Sequence, residues 1–482
     1  MSLRFVLDGA VVEIADSGPT APDPTASVLD HLRYRMARTG TKEGCAEGDC
    51  GACTVLVGTL NAGGDGVDWR AVNACILFLP MVHGKALMTV ESLGTPATLG
   101  PLQACMAANG SSQCGFCTPG FVMSLYGRSI GARGADLPVA DVLAGNLCRC
   151  TGYGPILAAG AAAAPVVRDD SAVVAQLRLL RDTDTQTGEA EARAWFKPRT
   201  ADALTALLAA HPDARLVAGA TDVGLWVTKK LQTPAKLIFL GDIAELGLIV
   251  EAPEGVTLGA AVRYADAHGA LARLHPDLGE LVRRIGGLQV RNAGTVCGNI
   301  ANGSPIGDGP PALIALGAEV TLRSVGGRRT IPLEDYFVDY GQQDLRPGEF
   351  VEQVFVPRPA AGDIVHISKL SRRFDSDISA VCGAVHLRVT DGVIARARVA
   401  FGGMAATPRR ALACEAALTG QPFSAPTIAR AVDALARDYA PMSDGRGSAA
   451  YRQAAAGSVL WRLWHRAQGV AVSVFDAEVT HG

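Results

Sequence analysis

The sequence predicts a multidomain α+β protein, and three observations support this fold class. A chain of 482 residues exceeds what one hydrophobic core usually serves, so three or four domains are expected. The first part of the chain joins short β runs to a loop rich in Gly and Cys, and a helical part with further cysteines follows. From residue 195 onward, helical segments alternate with short β runs, as in α+β domains.

The N-terminal residues predict a β-grasp layout around a metal-binding loop. Asp8 and Gly9 form a DG turn between two apolar β runs, which is typical of a hairpin. Ser27 begins a helical pattern, Asp30 follows at capping-box spacing, and Gly40 lies just past the expected helix end. The Cys-rich loop and the strand-like residues 54–57 complete the arrangement.

Four cysteines carry the chemistry of this first region. Cys45, Cys50 and Cys53 have the C-x4-C-x2-C spacing of plant-type [2Fe–2S] ferredoxins, and Cys75 follows downstream. Glycines in the loop allow the backbone to fold closely around a cluster. A zinc site is the alternative, but an x4 gap inside a Gly-rich loop favours the cluster.

A second set of four cysteines follows in the helical part. Cys114 and Cys117 form a CxxC motif, and Cys148 and Cys150 form a CxC motif. Each pair precedes a predicted helix start, and Pro119 suits the first turn of its helix. Helix N-termini direct N–H groups toward negative charge, which suits a cluster. Taken alone, CxxC also serves zinc sites and redox disulfides.

With their flanking residues, both motifs resemble the iron–sulfur part of the molybdenum hydroxylases, the xanthine dehydrogenase family. The loop at residues 42–55 is most similar to the small iron–sulfur/FAD subunits of bacterial two-subunit xanthine dehydrogenases, and the resemblance extends over essentially the whole chain. A charged stretch low in aromatic residues is the predicted linker. The expected domains are a β-grasp [2Fe–2S] ferredoxin domain at 1–92, a four-helix-bundle [2Fe–2S] domain at 93–168, the linker at 169–193, a vanillyl-alcohol-oxidase-type FAD domain at 194–362 and a C-terminal α+β flavoprotein domain at 363–482.

Two Gly-rich loops are the candidates for flavin binding, since no Rossmann GxGxxG unit is present. Residues 216–224 could offer backbone N–H groups to a pyrophosphate, although an ordinary turn between strand and helix has the same pattern. Residues 289–308 are rich in small, hydroxyl and amide side chains. Both loops resemble the FAD domain of the same family. That resemblance implies cofactor contacts at Leu216, Val217, Ala218, Gly219, Ala220, Thr221, Asp222, Val223, Ile285, Thr295, Asn299, Asp308, Val351 and Lys369.

Three further residues bear on this half of the chain. Cys297 stands where the family usually has glycine, so its side chain would lie near the cofactor unless it points into the core. Arg372 and Arg373 resemble the family segment beside the NAD site, although a solvated basic pair has the same appearance. We expect no catalytic acid or base on this chain.

Composition excludes several function classes. The chain has 44 basic and 47 acidic residues and no long run of either sign, which speaks against nucleic acid and anionic membranes as partners. No apolar tract reaches the length of a membrane span, and the N-terminus lacks a signal-peptide pattern. Twelve cysteines without an export signal indicate metal ligation more than disulfides, so we expect a cytoplasmic protein.

The resemblance implies the electron-transfer subunit of a xanthine dehydrogenase. Two [2Fe–2S] clusters and FAD would carry electrons to NAD+ from molybdenum and molybdopterin on a separate large subunit, in an (αβ)2 heterotetramer. The chain ends just after the flavin part, and this favours a split enzyme. The alternatives are the same role in an aldehyde, carbon monoxide or N-heterocycle hydroxylase, a stand-alone NADH:acceptor flavoprotein, and a zinc-stabilised interaction protein.

Overall fold

The computed structural model describes residues 2–15, 21–190, 192–375 and 377–472. The last ten residues of the expected C-terminal domain, 473–482, lie outside the described residues. The chain forms two compact units, and each is described by itself. Unit 1 consists of Met1–Gly247, Ala260–Asp266 and Ile285–Gly298, and unit 2 consists of Leu248–Gly259, Ala267–Arg284 and Asn299–Gly482.

Unit 1 begins with a five-stranded mixed sheet in the order β2-β1-β5-β3-β4. The predicted hairpin is confirmed, and Asp8 and Gly9 form its turn with φ values of 49° and 88°. The first strand also pairs in parallel with β5, which closes the β-grasp arrangement. The strands are β1 Ser2–Leu7, β2 Ala10–Ala15, β3 Thr54–Leu60, β4 Val67–Asn73 and β5 Ala86–Met88, with 3-10 turns at Leu79–Val82 and Val90–Ser92.

The helix over this sheet begins where the sequence predicts and ends earlier. The Ser27 Oγ accepts the backbone N–H of the residue three positions on at 3.0 Å, as expected of a cap. Helix α1 (Val28–Asp30) continues as a π-helical segment, His31–Arg35. The expected end at Gly40 is wrong, because Ala37 already adopts a left-handed φ of 55° and turns the chain away.

The helical part of unit 1 contains the predicted helices. Their shared core includes Phe121, Leu125 and Ile156, each at most 1% exposed. Residues 163–170 have no regular secondary structure. The helices are α2 Pro101–Ala108, α3 Thr118–Ser129, α4 Val139–Leu143 and α5 Gly154–Ala162.

The segment expected to be a linker contains two regular elements, helix α6 (Ser171–Leu179) and strand β6 (Gln186–Ala190). The helix buries Val173 and Leu177 against Leu56 of the β-grasp sheet. Low aromatic content and high charge favoured a linker, but the apolar spacing of this segment is that of an amphipathic helix. In this segment the helical spacing of the apolar residues therefore indicates the structure better than the high charge does.

A four-stranded sheet in the order β6-β7-β9-β8 completes the main part of unit 1. Strand β9 pairs in parallel with β7 and β8, which agrees with the alternation of helices and short β runs predicted from residue 195 onward. The elements are β7 Arg193–Lys197, α7 Ala201–Ala210, β8 Arg215–Val217, α8 Val223–Thr228, β9 Lys236–Phe239 and a 3-10 turn at Ala244–Gly247.

The middle of the chain contributes an antiparallel sheet to unit 2, in the order β10-β11-β16-β12-β13, and a two-stranded sheet β14-β15. The strands are β10 Ile249–Ala252, β11 Gly255–Gly259, β12 Glu319–Ser324, β13 Gly327–Pro332, β14 Phe337–Asp339, β15 Gln342–Gln343 and β16 Phe350–Pro357. The helices of residues 264–336 are α9 Tyr264–Leu274, α10 Pro276–Arg283, α11 Leu288–Arg291, α12 Val296–Asn302, α13 Gly309–Leu316 and α14 Leu333–Tyr336.

The C-terminal part of unit 2 is a four-stranded antiparallel sheet covered by helices, as expected for an α+β domain. None of the described helices has the length and apolar character of a membrane span. The elements are β17 Ile364–Leu370, β18 Val381–Thr390, β19 Val393–Gly402, β20 Arg409–Arg410, α15 Leu412–Leu418, α16 Ala425–Asp438 and α17 Ala449–Ala467.

Candidate functional site

The structure brings the first four cysteines together, and we call them the first thiol group. Cys45 contacts the thiols of Cys50 and Cys75, and Cys75 also contacts Cys53. The backbone N–H of Cys50 donates to the Cys45 sulfur at 3.3 Å. Cys53 and Cys75 are 1% and 2% exposed, so half of the group is closed to solvent.

These contacts perturb the acidity of the thiols. Hydrogen bonds from the thiols of Cys50 and Cys75 lower the pKa of Cys45. The hydrogen bond to Cys45, followed by that to Cys53 and by burial, raises the pKa of Cys75. Neighbouring sulfur atoms therefore compete for protons. A soft, all-sulfur donor set of this kind fits an iron–sulfur cluster.

Backbone geometry of the loop leaves room for the sulfur atoms. A Cβ on Gly44 would lie 2.7 Å from the Cys50 sulfur, which is closer than real Cβ atoms come. Gly48 has φ +79°, and a Cβ there would also meet Ile76. The glycines of the motif are thus required by close approach and backbone conformation.

The second thiol group, Cys114, Cys117, Cys148 and Cys150, is also brought together, in pairs. The sulfur atoms of Cys114 and Cys150 are 3.5 Å apart, and the thiols of Cys117 and Cys148 are in hydrogen-bond contact. Cys114 and Cys150 are exposed. Burial, followed by the hydrogen bond to Cys148, raises the pKa of Cys117 to about 12. Across the described residues, no three His, Cys, Asp or Glu side chains have the arrangement of a metal-ion site, so the fit of both thiol groups to clusters depends on their donor chemistry and their proximity.

The two thiol groups are joined by backbone. The N–H of Leu147, next to Cys148, donates to the carbonyl of Cys50 at 2.9 Å. A Cβ on Gly51 would lie 2.2 Å from the carbonyl oxygen of Gly145, and Gly51 has φ +69°. The two loops therefore touch through their main chains.

A buried network of four polar side chains lies beside this contact, and we call Thr54, Ser124, Asn146 and Gln289 the junction network. The Gln289 amide donates to Asn146 Oδ1 at 2.9 Å, to Ser124 Oγ at 3.1 Å and to Thr54 Oγ1 at 3.2 Å. Ser124 Oγ also donates to Asn146 Oδ1 at 2.8 Å. The network connects the β-grasp sheet, the helical part and the segment 285–298. Sequence reasoning missed it, because single polar residues carry no spacing signal.

The first flavin candidates lie on the turn between β8 and α8. Ala220 has a left-handed φ of 60°. A Cβ on Gly219 would lie 1.9 Å from the Ala293 carbonyl oxygen, so only glycine fits beside this second Gly-rich segment. The two segments singled out in the sequence thus meet within unit 1. Burial raises the pKa of Asp222, whose backbone carbonyl accepts from Leu225 at 3.0 Å.

The remaining unit 1 candidates are Thr295 and Ile285. Thr295 is 5% exposed, and its Oγ1 accepts the N–H of Gly298 at 3.0 Å. The carbonyl of Ile285 accepts from Arg291 at 3.4 Å. Leu216 and Val217 lie at the end of β8, and Thr221 and Val223 complete the turn into α8.

In unit 2, Asp308 and Lys369 are brought together. The Lys369 ammonium donates to one carboxylate oxygen of Asp308 at 2.5 Å, and the hydroxyl of Ser379 donates to the other at 2.5 Å. Both charged residues are at most 9% exposed. Ser379 was not predicted, because only the tertiary fold places it beside the pair.

Asn299 and Cys297 share one helix, whereas Val351 lies on a strand. Asn299 is in α12, where a Cβ on Gly307 would lie 3.5 Å from its amide nitrogen. Val351 is on β16, opposite Leu322. Cys297 is 2% exposed, so its side chain lies in the interior.

Arg372 and Arg373 are exposed, and Arg373 pairs with Asp377 at 3.2 Å. Ser376, in the same segment, lies outside the described residues. Their proposed role at an NAD site stays a prediction.

Three family models match the chain. A [2Fe–2S] binding domain matches residues 89–161, an FAD binding domain in molybdopterin dehydrogenase matches residues 188–359, and a CO dehydrogenase flavoprotein C-terminal domain matches residues 366–467.

Curated relatives include xanthine dehydrogenases. The enzyme of Drosophila subobscura is 32% identical over 509 residues, which cover 92% of this chain and 38% of that protein. The enzyme of Emericella nidulans is 30% identical over 529 residues, which cover 96% of this chain and 38% of that protein. The chain therefore spans less than half the length of these relatives.

Solved structures are similar as well. A chain of the carbon monoxide dehydrogenase from Hydrogenophaga pseudoflava is 33% identical with a TM-score of 0.53, covering 56% of this chain and 94% of that one. A chain of quinoline 2-oxidoreductase from Pseudomonas putida 86 is 26% identical with a TM-score of 0.53, covering 58% of this chain and 99% of that one.

Fold, thiol-rich loops and matched domains together define an iron–sulfur flavoprotein. The chain belongs to the molybdenum hydroxylase family and is an electron-transfer FAD/[2Fe–2S] module of that oxidoreductase family. The resemblance and the multidomain α+β fold predicted from the sequence are confirmed.

Proposed function

We propose that this chain is the electron-transfer subunit of a xanthine dehydrogenase that uses NAD+. A partner chain would hold molybdenum and molybdopterin and oxidise hypoxanthine and xanthine. Relatives that are 30–32% identical support this substrate class, because both are xanthine dehydrogenases. An (αβ)2 heterotetramer in the cytoplasm is the assembly and location we propose.

Each group of residues has a proposed ligand. The first and second thiol groups would each ligate one [2Fe–2S] cluster, and the predicted loop residues would hold FAD. When bound, the clusters supply one-electron transfer, and FAD converts this to hydride exchange with NAD+. The role of the protein is to position these groups and exclude water.

The observation that carries the proposal is the graded burial of connected elements in unit 1. The second thiol group is partly exposed, and the first is more buried. The backbone N–H of Leu147, next to Cys148 of the second group, donates to the carbonyl of Cys50 in the first group. Next to the first group, a Cβ on Gly224 of α8 would lie 2.7 Å from Ile76, the residue after Cys75. A continuous series of contacting residues therefore connects the exposed thiols of the second group with the turn that is proposed to bind the flavin. This order supports electron entry from the partner at the second group.

The test is the composition and activity of the purified protein. We expect about four irons and one FAD per chain, with molybdenum only on the co-purified partner. The isolated chain should catalyse NADH:dye reduction and form no urate from xanthine. Urate formation by the isolated chain would contradict the division of labour. A colourless, zinc-containing protein would contradict the clusters.

A second candidate is the same role in another molybdenum hydroxylase, acting on an aldehyde, carbon monoxide or an N-heterocycle. Chains of carbon monoxide dehydrogenases that are 32–33% identical favour it. Substrate oxidation by the co-purified complex distinguishes the candidates. A chain that purifies alone and retains NADH:acceptor activity would instead favour a self-contained flavoprotein.

A further inference from the structure

Unit 1 contains a cavity with an unusual concentration of positive charge. It has a volume of about 60 Å³, compared with roughly 10–15 Å³ for one buried water. The β-grasp strands β3 and β4 form one wall, and the turns after β8 and β9 form another. Its charged or amide lining residues are Arg70, Lys85, Lys197, Asp242, Arg263 and Asn292.

Three cations at the cavity pair with a single carboxylate, that of Asp242. Asp242 pairs with Lys197 at 2.6 Å and with Lys85 at 2.8 Å, and Arg199 lies 3.8 Å away. Lys197 is 1% exposed and donates also to the carbonyl of His83 at 2.8 Å. Three cations therefore share this single acid, although Arg199 also approaches Asp182 at 4.0 Å.

Arg70 and Arg263, which also line the cavity, pair with a second carboxylate, that of Asp266. Asp266 pairs with Arg70 at 3.0 Å, with Arg133 at 3.1 Å and with Arg263 at 3.8 Å. The Arg70 and Arg263 side chains are 13% and 25% exposed, so water screens them incompletely. The four cations that line the cavity, Arg70, Lys85, Lys197 and Arg263, thus share the carboxylates of Asp242 and Asp266 with Arg133 and Arg199.

This imbalance is costly in a protein interior. Like charges repel strongly where the effective dielectric is low, and buried charges normally have matching partners. Burial, with smaller contributions from neighbouring cations, lowers the pKa of Lys197 to about 8, against the attraction of Asp242. Burial and Arg263 likewise lower the pKa of Arg70. An additional anion in the cavity would stabilise the charged forms of both Lys197 and Arg70.

We propose that this cavity binds a small tetrahedral oxyanion of the phosphate or sulfate class. Arg70 and Lys85 would hold it from the β-grasp side, and Lys197 and Arg263 from the flavin side. The anion would cross-link these two parts of unit 1. Ala218 and Gly219 line the cavity and also belong to the predicted pyrophosphate turn, so a free anion has to be distinguished from the diphosphate of FAD.

Crystallography of the protein loaded with clusters and FAD makes this distinction. Crystals soaked in sodium selenate should show anomalous selenium density between Lys85 and Arg263, and excess inorganic phosphate should remove it. Density for water alone, or for the FAD diphosphate in this cavity, would overturn the proposal.

Sulfate binding in solution, measured by calorimetry at constant ionic strength, gives a second test. Lys85→Met and Arg263→Met should each weaken binding about tenfold, since each removes one charge-assisted hydrogen bond. Lys236→Met is the matched control, because Lys236 pairs with Asp213 at 3.2 Å and does not line the cavity. Equal weakening by the control would overturn the proposal.

Thermal unfolding keeps the proposal testable if a variant does not fold. A ligand that binds the native state raises the melting temperature. The unaltered protein should therefore melt at a higher temperature in sodium sulfate than in sodium chloride of equal ionic strength, and Arg263→Met should reduce the difference whereas Lys236→Met should leave it unchanged, because general stabilisation by sulfate acts on all three proteins alike. The same melting temperature in both salts would overturn the proposal.

Discussion

The two thiol groups have the same donor chemistry and different surroundings. The first group buries Cys53 and Cys75 in the β-grasp core, while the second leaves Cys114 and Cys150 exposed. Burial, solvent access and hydrogen bonds to sulfur tune the potential of an iron–sulfur centre and decide which partner can reach it. Four-cysteine groups of the same chemistry therefore occur at two positions in unit 1, of which one is partly exposed and the other is more deeply buried.

Breaking one ligand in each group should have the largest effect. Cys53→Ser and Cys150→Ser are each expected to lower the iron content from about four to about two per chain, because a cluster needs its full ligand set. Iron analysis and electron paramagnetic resonance at low temperature would identify which signal is lost. Loss of both signals in either variant would show that the groups assemble as one unit.

The main-chain contact between the groups gives the next largest effect. Gly51→Ala should lower the free energy of unfolding by roughly 3–5 kcal/mol, since it adds left-handed strain and a clash with the Gly145 carbonyl. Gly131→Ala is the control, because Gly131 has φ +75° with nothing within 4 Å of its Cβ position, and it should cost about 1–2 kcal/mol. Thermal unfolding measures both. Equal losses would mean that the loops do not touch.

The junction network should respond less strongly. Gln289→Ala is expected to cost about 1–3 kcal/mol, because it removes the donor to three buried oxygen atoms. Gln232→Ala, at an exposed position of the same unit, should stay within about 0.5 kcal/mol. A shift in the reduction potential of the first group, absent in the control, would show that the network also tunes the cluster.

The smallest effect is expected at the exposed group. Phe116 lies between Cys114 and Cys117 and is 48% exposed, so Phe116→Ala should change stability by less than about 0.5 kcal/mol. Iron loss to a chelator should become about twofold faster at the second group and stay unchanged at the first. Faster loss at the first group would show that Phe116 shields it, as its position 3.6 Å from a Cβ on Gly44 allows.

Local patterns predicted much of the fold. The hairpin turn at Asp8 and Gly9 and the helix cap at Ser27 depend on residues that are neighbours in the chain, so a local pattern is enough to predict them. The end of the first helix was wrong because Ala37 adopts a left-handed conformation that alanine rarely favours. The predicted linker was wrong, because the prediction relied on the charge of the segment and did not include the apolar stripe that makes α6 an amphipathic helix.

The donor chemistry of the two thiol groups can be predicted from the sequence, since eight cysteines in two spacings are recognisable without coordinates. The burial of particular thiols, the contact between the two cysteine loops and the hydrogen bond from Ser379 to Asp308 become visible only in the folded chain. The cavity between β3, β4 and the turns after β8 and β9 also depends on the tertiary fold, because its cations come from segments that are far apart in the sequence. Spacing encodes contacts within a loop, whereas contacts between segments depend on packing that no local pattern specifies.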